Sequence, residues 1–390
     1  MFAFFFSLLP VVLSADSQVF TIQLAGYGGA NLWVGTERAE MTGVIDLFTS
    51  RLLLYERRCG ERRADCAPFS AEGDFAAAYA PPACFLIAPQ ERPLVCAPGG
   101  FEPNASASFR WAGGEWRLQR PHSRPLFGRV ARESFWFANS SLKSKPQTAP
   151  FEDVEFVSIE LGDNHWSEGR PLRLGFGPND DEHRGFVSLL FDRKRIPAAT
   201  AVFFSWGGTG GGYLMVGGLN DLFATLCHEW STPVRSAARS AWALPVERAE
   251  ASGLSFADIN ILLGLTEEFT FLPPALVEHL VRAGVFRRSP DRADCSLLVR
   301  NDTTAALQLL VGRREFVLPF ASFAVTPSDD FFCADSFCCS TVDSAERARY
   351  STDSEWIFGH SALAGKCVAL DFEQNTISLS QGRWPWVLGS

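Results

Sequence analysis

Residues 35–54 read Gly-Thr-Glu-Arg-Ala-Glu-Met-Thr-Gly-Val-Ile-Asp-Leu-Phe-Thr-Ser-Arg-Leu-Leu-Leu, and this stretch decides the fold. A Gly-Thr turn leads into a predicted strand, and the strand delivers one carboxylate, Asp46, into an apolar run. By itself Asp46 is interpreted as a polar residue at a strand end, satisfied by backbone N–H groups.

The same stretch resembles the amino-terminal active-site strand of pepsin-like aspartic proteases. That strand reads Gly-Thr-Pro-Pro-Gln, then apolar residues, then Asp-Thr-Gly-Ser-Ser. Asp46 stands eleven positions after Gly35, as the catalytic Asp does in the family. Leu47 and Phe48 stand where the family has Thr and Gly. The resemblance therefore implies half of a catalytic centre, altered in its chemistry.

Further stretches resemble family motifs in the family's order. They are the Phe-Asp-Pro-like turn, the Leu-Gly-Leu-Gly-like knot, the strand of the sheet between the lobes, the Trp-Ile-Leu-Gly-Asp-like motif and the last hairpin, at residues 101–109, 174–177, 213–220, 356–363 and 368–379. The resemblance covers nearly the whole chain from Gly35 to Leu379. It implies a bilobal fold with a cleft between two lobes related by a pseudo-twofold axis.

The second active-site strand of the family is matched by residues 259–274. Counting back from Leu272-Pro273 places Gly264 on the second catalytic aspartate, followed by Leu265 where the family has Thr or Ser. We expect Asp46 and Gly264 to meet at the base of the cleft, and Leu47 and Leu265 to pack on each other. A helix is expected over residues 275–283. In the flap hairpin, Arg120 stands where the family has its Tyr.

The family cleaves peptides with two carboxylates that share one proton, and one without the other loses this chemistry. Three rescues are open: a carboxylate from Glu267 or Glu268, a serine-hydrolase elbow around Ser361, or a misalignment at Gly264. The elbow lacks its closing Gly, and the glutamates lie three and four positions beyond Gly264. We therefore expect no useful proteolysis.

Composition excludes several classes of function. The chain has 390 residues, 47% of them apolar and 20% charged, with a net charge of −9. These values are typical of a globular protein and argue against nucleic-acid or anionic-membrane partners. Residues 1–15 form an uncharged apolar run that indicates a secretory signal, with a membrane anchor as the alternative.

Ten cysteines fit the oxidising compartment that a signal implies. The six histidines are scattered without ligand spacing, so no metal site is expected. The family resemblance implies the pairs Cys59–Cys66 and Cys295–Cys333, and Cys84 and Cys96 flank an inserted loop. Sequons at Asn104, Asn139 and Asn301 predict N-glycosylation.

These observations predict a secreted, disulfide-bonded, all-β protein with the pepsin-like bilobal fold. Its parts are a signal (1–15), an amino-terminal lobe with the Asp46 motif (16–205) and a carboxy-terminal lobe with the Gly264 motif (206–390). It is expected to be a monomer without cofactor that binds a peptide, protein or glycan ligand, and to have no membrane partner after signal cleavage. The alternatives are an acid endopeptidase with an unusual dyad and a chain drifting without strong functional demand.

Overall fold

The computed structural model describes residues 19–24, 29–55, 101–118, 126–137, 151–161, 172–179, 184–207, 211–239, 241–264, 270–289, 296–324, 333–334, 337–344 and 356–382. Everything below concerns these residues. They form a mainly β structure with three short helices, which confirms the all-β prediction.

The strands are short, and most alternate or bury apolar residues on both faces. Those before Ala243 are β1 (Phe20–Leu24), β2 (Gly29–Val34), β3 (Ala39–Asp46), β4 (Leu53–Tyr55), β5 (Arg110–Leu118), β6 (Leu126–Phe137), β7 (Phe151–Leu161), β8 (Leu172–Gly175), β9 (Thr200–Gly207), β10 (Gly211–Val216), β11 (Cys227–Trp230) and β12 (Val234–Arg235).

The later strands are β13 (Ala243–Ala251), β14 (Leu254–Leu263), β15 (Thr270–Leu272), β16 (Phe286–Arg288), β17 (Leu297–Arg300), β18 (Ala306–Val311), β19 (Arg314–Pro319), β20 (Cys333–Ala334), β21 (Phe337–Cys339), β22 (Val342–Ser344), β23 (Ile357–Phe358), β24 (Lys366–Asp371) and β25 (Thr376–Gly382). The helices are α1 (Phe186–Asp192), α2 (Asp221–Leu226) and α3 (Pro274–Arg282). The last of these is the helix expected over 275–283, and its buried face is Leu276, Val277 and Leu280.

Two seven-stranded sheets share one internal pattern. The first has the order β2-β3-β8-β4-β7-β6-β5 and curls so that β2 also pairs with β6, and the second has the order β19-β18-β13-β14-β23-β15-β22. We call β2, β3, β4, β7 and β8 the first repeat, and β13, β14, β15, β22 and β23 the second repeat. In each repeat the second strand of a hairpin, β3 or β14, pairs in parallel with the strand that comes last in the chain, β8 or β23. That last strand lies between the hairpin and the next strand in the chain, β4 or β15.

The strand register sets the correspondence between the repeats. Ile45 pairs with Leu174 in the first repeat, and Leu263 pairs with Phe358 in the second. Asp46 directly follows Ile45, and Gly264 directly follows Leu263. Leu53 and Phe271, which pair with Arg173 and Ile357, each lie seven positions further on. By register and by loop length, Gly264 occupies in the second repeat the position of Asp46 in the first.

A third sheet draws strands from both ends of the chain. Its order is β1-β10-β9-β24-β25-β11, with β12 added on β25. The predicted boundary between residues 205 and 206 falls inside β9, in the middle of this sheet. The sheet carries the disulfide Cys227–Cys367, which joins residues 140 positions apart and was not predicted.

A small fourth sheet, β16-β17-β21-β20, completes the described strands. Cys338 and Cys339 on β21 are also disulfide-bonded. The predicted pair Cys59–Cys66, together with Cys84 and Cys96, lies outside the described residues. So do Cys295 and the side chain of Cys333.

One large apolar cluster runs through the first and second repeats and the third sheet. Trp242, which is fully buried ahead of β13, donates its indole N–H to the carbonyl oxygen of Phe176 after β8 (2.6 Å). A buried Trp usually finds such a partner. This hydrogen bond joins the end of the first repeat to the start of the second.

Candidate functional site

Asp46 ends β3 as a buried carboxylate with 1% of its surface exposed. Its Oδ1 accepts a hydrogen bond from the backbone N–H of Phe48 (2.8 Å). Its Oδ2 accepts one from the Nη1 of Arg173 (3.3 Å). The backbone N–H contact agrees with the simpler of the two interpretations of Asp46, and the arginine contact goes beyond both.

Arg173 lies on β8 between two buried leucines, Leu172 and Leu174, and its side chain is 9% exposed. A guanidinium within hydrogen-bond distance stabilises the ionised carboxylate, and a buried pair of this kind is costly to separate. Arg173 was not predicted from the sequence as a site residue. The signal was present, because a single cation inside a buried apolar strand needs an anionic partner.

Close backbone contacts hold the loop after Asp46 in place. The Phe176 N–H donates to the Asp46 carbonyl (2.7 Å), and the Gly177 N–H donates to the Thr49 carbonyl (2.7 Å). Gly175 has no side chain for a steric reason, since a Cβ there would collide with the Arg51 carbonyl oxygen.

Leu47 and Phe48 take different directions from this loop. Leu47 is buried in the large apolar cluster (1% exposed). Phe48 is half-buried and packs against a cluster on the second repeat, formed by Ala241, Ala243, Leu262, Phe271 and Ile357. The loop that follows Asp46 therefore lies against the second repeat, beside the strand that ends at Gly264.

The second repeat has no side chain to match Asp46. Gly264 is buried, and its N–H donates to the Phe358 carbonyl (2.9 Å). Where the first repeat has Arg173, the second has Ile357, and its neighbours Leu262 and Phe271 are apolar as well. Leu265, Glu267 and Glu268 lie outside the described residues, so the predicted Leu47–Leu265 contact stays a prediction.

Hydroxyl groups surround the closing Gly359 of the second repeat. The buried Thr270 Oγ1 accepts from the Gly359 N–H (3.3 Å) and lies 3.2 Å from the Ser361 Oγ. His360 is also buried, and its Nε2 is 2.7 Å from the Ser205 Oγ on β9. Burial lowers the pKa of His360, so its neutral form is favoured. Ser361 is thus hydrogen-bonded to Thr270, while the neighbouring imidazole bonds to a different serine.

The remaining predicted site residues are dispersed. The β5–β6 hairpin runs towards Arg120, which lies outside the described residues, as does Asn139. Asn104 sits exposed on a 3-10 turn, Pro103–Ala105, and Asn301 is exposed in a turn after β17. Glycosylation at both of these positions stays a prediction.

Among the described residues, no three His, Cys, Asp or Glu side chains gather as a metal site would require. In the same part of the chain, no helix is both long and apolar enough to cross a membrane. Comparison with known proteins adds no relative: no family model matches this chain, and no curated protein matches it.

The described chemistry of the site thus includes a buried carboxylate that accepts a hydrogen bond from a guanidinium, and the loop that follows it packs on an apolar cluster of the second repeat. A shared-proton mechanism needs two carboxyl groups close enough to push their pKa values apart. At the position that corresponds to Asp46, the chain places a glycine.

Proposed function

We propose that this chain is a secreted protein of the pepsin-like aspartic protease family that has lost peptidase chemistry and acts by binding. Its two repeats would form two lobes, with Asp46 and Gly264 facing each other at the base of one cleft. The ligand would be a peptide, a protein or a glycan bound in that cleft or by its outer loops.

One observation carries the proposal: the Asp46 carboxylate is paired with buried Arg173, while the register-equivalent residue of the second repeat is Gly264. An aspartic protease needs one ionised and one protonated carboxyl group to activate water and polarise the substrate carbonyl. A guanidinium does not release a proton at physiological pH. The pair therefore supplies charge and position, but not general acid catalysis.

Phe48 supports the same conclusion from the packing. The family has a glycine at this position, next to the attacking water. Here Phe48 packs against the apolar cluster of the second repeat that contains Leu262, Phe271 and Ile357. A large side chain lodged between the repeats leaves less room for a substrate backbone beside Asp46.

Secretion is supported by the amino-terminal apolar run and by the Cys227–Cys367 disulfide. Disulfides persist in oxidising compartments, and a bond that closes a loop of 140 residues restricts the unfolded chain strongly.

Proteolysis is the first test. Purified protein should not cleave a denatured protein substrate at any pH from about 2 to 7, and a transition-state-mimicking inhibitor of the family should bind poorly. The Gly264→Asp variant should also remain inactive, because its new carboxylate would face apolar side chains and the Asp46–Arg173 pair would persist. Cleavage that disappears in Asp46→Ala would favour the rival function, an acid endopeptidase with an unusual dyad.

Binding is the second test. Peptide and glycan arrays should identify ligands of the wild-type protein, and Phe48→Arg, at a half-buried position, should weaken their binding at least tenfold. The matched control is Val317→Arg, which puts the same charge on an exposed residue of β19. Equal loss of binding in both variants, or in neither, would place the ligand elsewhere than the cleft.

A further inference from the structure

The first sheet buries a second carboxylate besides Asp46. Glu133 on β6 is 1% exposed. It lies two positions after Ala131, which belongs to the large apolar cluster, so strand alternation turns both side chains towards the core. A carboxylate rarely occupies such a position unless its charge is balanced.

The two carboxylate oxygens of Glu133 are treated differently. Its Oε1 accepts hydrogen bonds from the Ser108 hydroxyl and from the backbone N–H of Ser134 (2.6 Å). Within the described part of the chain, the buried Oε2 accepts no hydrogen bond. A buried polar atom without a partner is uncommon in folded proteins and indicates a strained position or a bound group.

No basic side chain of the described residues balances Glu133. None of the ion pairs there includes it. The preceding residue, Arg132, lies on the opposite face of β6 and pairs with Asp153. Arg38 extends over the ring of Trp136. Because an unbalanced buried charge is costly, we expect a partner from outside the chain.

Three hydroxyl groups form a chain from the surface to Glu133. Thr36 is exposed in the turn after β2, and Ser106 and Ser108 are half-buried in the segment before β5. The Ser106 Oγ lies 3.4 Å from the Thr36 Oγ1 and 3.2 Å from the Ser108 Oγ. Ser108 donates to Glu133. The chain of hydroxyls therefore supplies polar contacts along a path from solvent to the carboxylate.

Gly35 marks the point that these oxygens face. A Cβ on Gly35 would lie 2.9 Å from the Ser106 Oγ and 3.7 Å from the Glu133 Oε2. The oxygen without a hydrogen bond therefore faces the same spot as the serine hydroxyl. The φ angle of Gly35, +78°, also disfavours any side chain at this position.

We propose that Glu133, Ser106 and Ser108 bind a sodium ion. Carboxylate and hydroxyl oxygens are ligands that hard cations prefer. Neighbouring oxygen ligands of an ion of this size lie roughly 3–3.5 Å apart, and the larger potassium ion needs a wider spacing. The two serine oxygens, 3.2 Å apart, match the smaller ion.

The charge of the site selects a monovalent ion. A single carboxylate balances one positive charge, whereas calcium sites usually collect several carboxylates. The bound ion neutralises Glu133 and joins the turn after β2 to the segment before β5. The site does not depend on Asp46 or on the binding function proposed above.

Thermal melts of the purified protein test the proposal. The protein is melted at pH 7.5 in mixtures of NaCl and choline chloride at one constant ionic strength. An ion that binds only the folded chain raises the folded-to-unfolded ratio about elevenfold when its concentration is ten times its dissociation constant. The melting temperature should therefore rise with the logarithm of the NaCl concentration, and KCl should have a smaller effect.

Three variants locate the ion. Glu133→Gln keeps the size of the side chain but removes its charge, so it should abolish the difference between NaCl and choline chloride. The matched control is Glu37→Gln, the same change at an exposed position of the turn after β2, which should respond to NaCl as the wild type does. Ser108→Ala should need at least a threefold higher NaCl concentration for the same shift, and it replaces Glu133→Gln if that variant does not fold.

Three results would overturn the proposal. Identical melts of the wild type in NaCl and choline chloride would mean that the charge of Glu133 is balanced without sodium. Stabilisation by millimolar CaCl2 that NaCl fails to reproduce would assign the oxygens to a divalent ion. An equal response to NaCl in Glu133→Gln and Glu37→Gln would assign the effect to ions elsewhere on the protein.

Discussion

The two repeats have the same strand order and register, yet they are filled with opposite chemistry. At equivalent positions the first repeat has Asp46 and Arg173, and the second has Gly264 and Ile357. The first buries an ion pair, and the second buries an apolar cluster that also receives Phe48 from the first. The same arrangement of strands thus accommodates either a buried ion pair or a buried apolar cluster.

This difference indicates that the two members of a buried ion pair have to be retained together or replaced together. A buried charge without its partner is expensive, whereas replacing both members by apolar groups is often neutral. The first repeat retains both charges, and the second has neither. An ion pair that is present in only one repeat fixes a carboxylate at the start of one loop, but it provides no second proton carrier.

The largest expected effect comes from breaking the ion pair. Arg173→Ile, which copies the second repeat, leaves the Asp46 carboxylate buried without its guanidinium and should cost about 3–5 kcal/mol of unfolding free energy in urea melts. Adding Asp46→Gly should recover roughly 1–3 kcal/mol, because no charge is then stranded. A double variant no more stable than Arg173→Ile would show that the two side chains are not coupled.

The next effect concerns Leu47, whose counterpart by position is Leu265. Leu47→Ala removes a side chain that is 1% exposed in the large cluster and should cost roughly 2–5 kcal/mol. Val317→Ala, at an exposed position of β19, serves as the control and should cost less than about 0.5 kcal/mol. A neutral Leu47→Ala would contradict the packing described for the loop after Asp46.

Phe48 should matter less, because it is only half-buried. Phe48→Ala should cost about 1–3 kcal/mol, since it loses its packing against the apolar cluster of the second repeat. Combined with Ile357→Ala it should be less than additive, as neighbours are. Full additivity in the same urea melts would mean that the first repeat does not rest on the second through this ring.

The smallest effect is confined to acid pH. His360 corresponds in register to Phe176, and its folded-state pKa is lowered by burial. The unfolded chain therefore binds a proton first, so this group lowers stability as the pH falls through about 6.5. In His360→Phe, which copies the first repeat, that part of the pH dependence should vanish.

The control for the acid effect is Val317→Ala, at an exposed position of β19, which removes no titratable group and should leave the dependence unchanged. Melts at pH 5, 6, 7 and 8 compare the three proteins. A His360→Phe variant that loses stability on acidification as steeply as the wild type would assign the acid sensitivity to other groups.

Sequence alone went furthest where the signal is local. The all-β class was predicted from the family resemblance, and the helix expected over 275–283 follows from its apolar face. The count from Leu272-Pro273 and the strand register select the same residue, Gly264. Spacing within one supersecondary unit is fixed by strand length and loop length, so it can be read from the chain.

Contacts between residues far apart in the sequence could not be predicted from the sequence. Arg173 meets Asp46 across 127 positions, and Cys227 meets Cys367 across 140. Such pairs depend on which strands become neighbours, and no local pattern records that. Phe48 stands where the family has Gly, but the cluster that it packs against comes from five residues spread over four segments of the second half of the chain.

The third sheet also has a consequence for how the protein is made. The first repeat is complete once residue 175 has left the ribosome, but β1 must wait for β10, which begins at Gly211. Counted from the synthesis of β1 to that of β10, the delay is roughly 10–40 s at typical synthesis rates. For that time the nascent chain exposes an apolar strand with an unpaired edge, the kind of surface that chaperones bind and that aggregates form on. The same sheet is completed only when β25 has been made, so β1 and β25 enter one sheet late in synthesis.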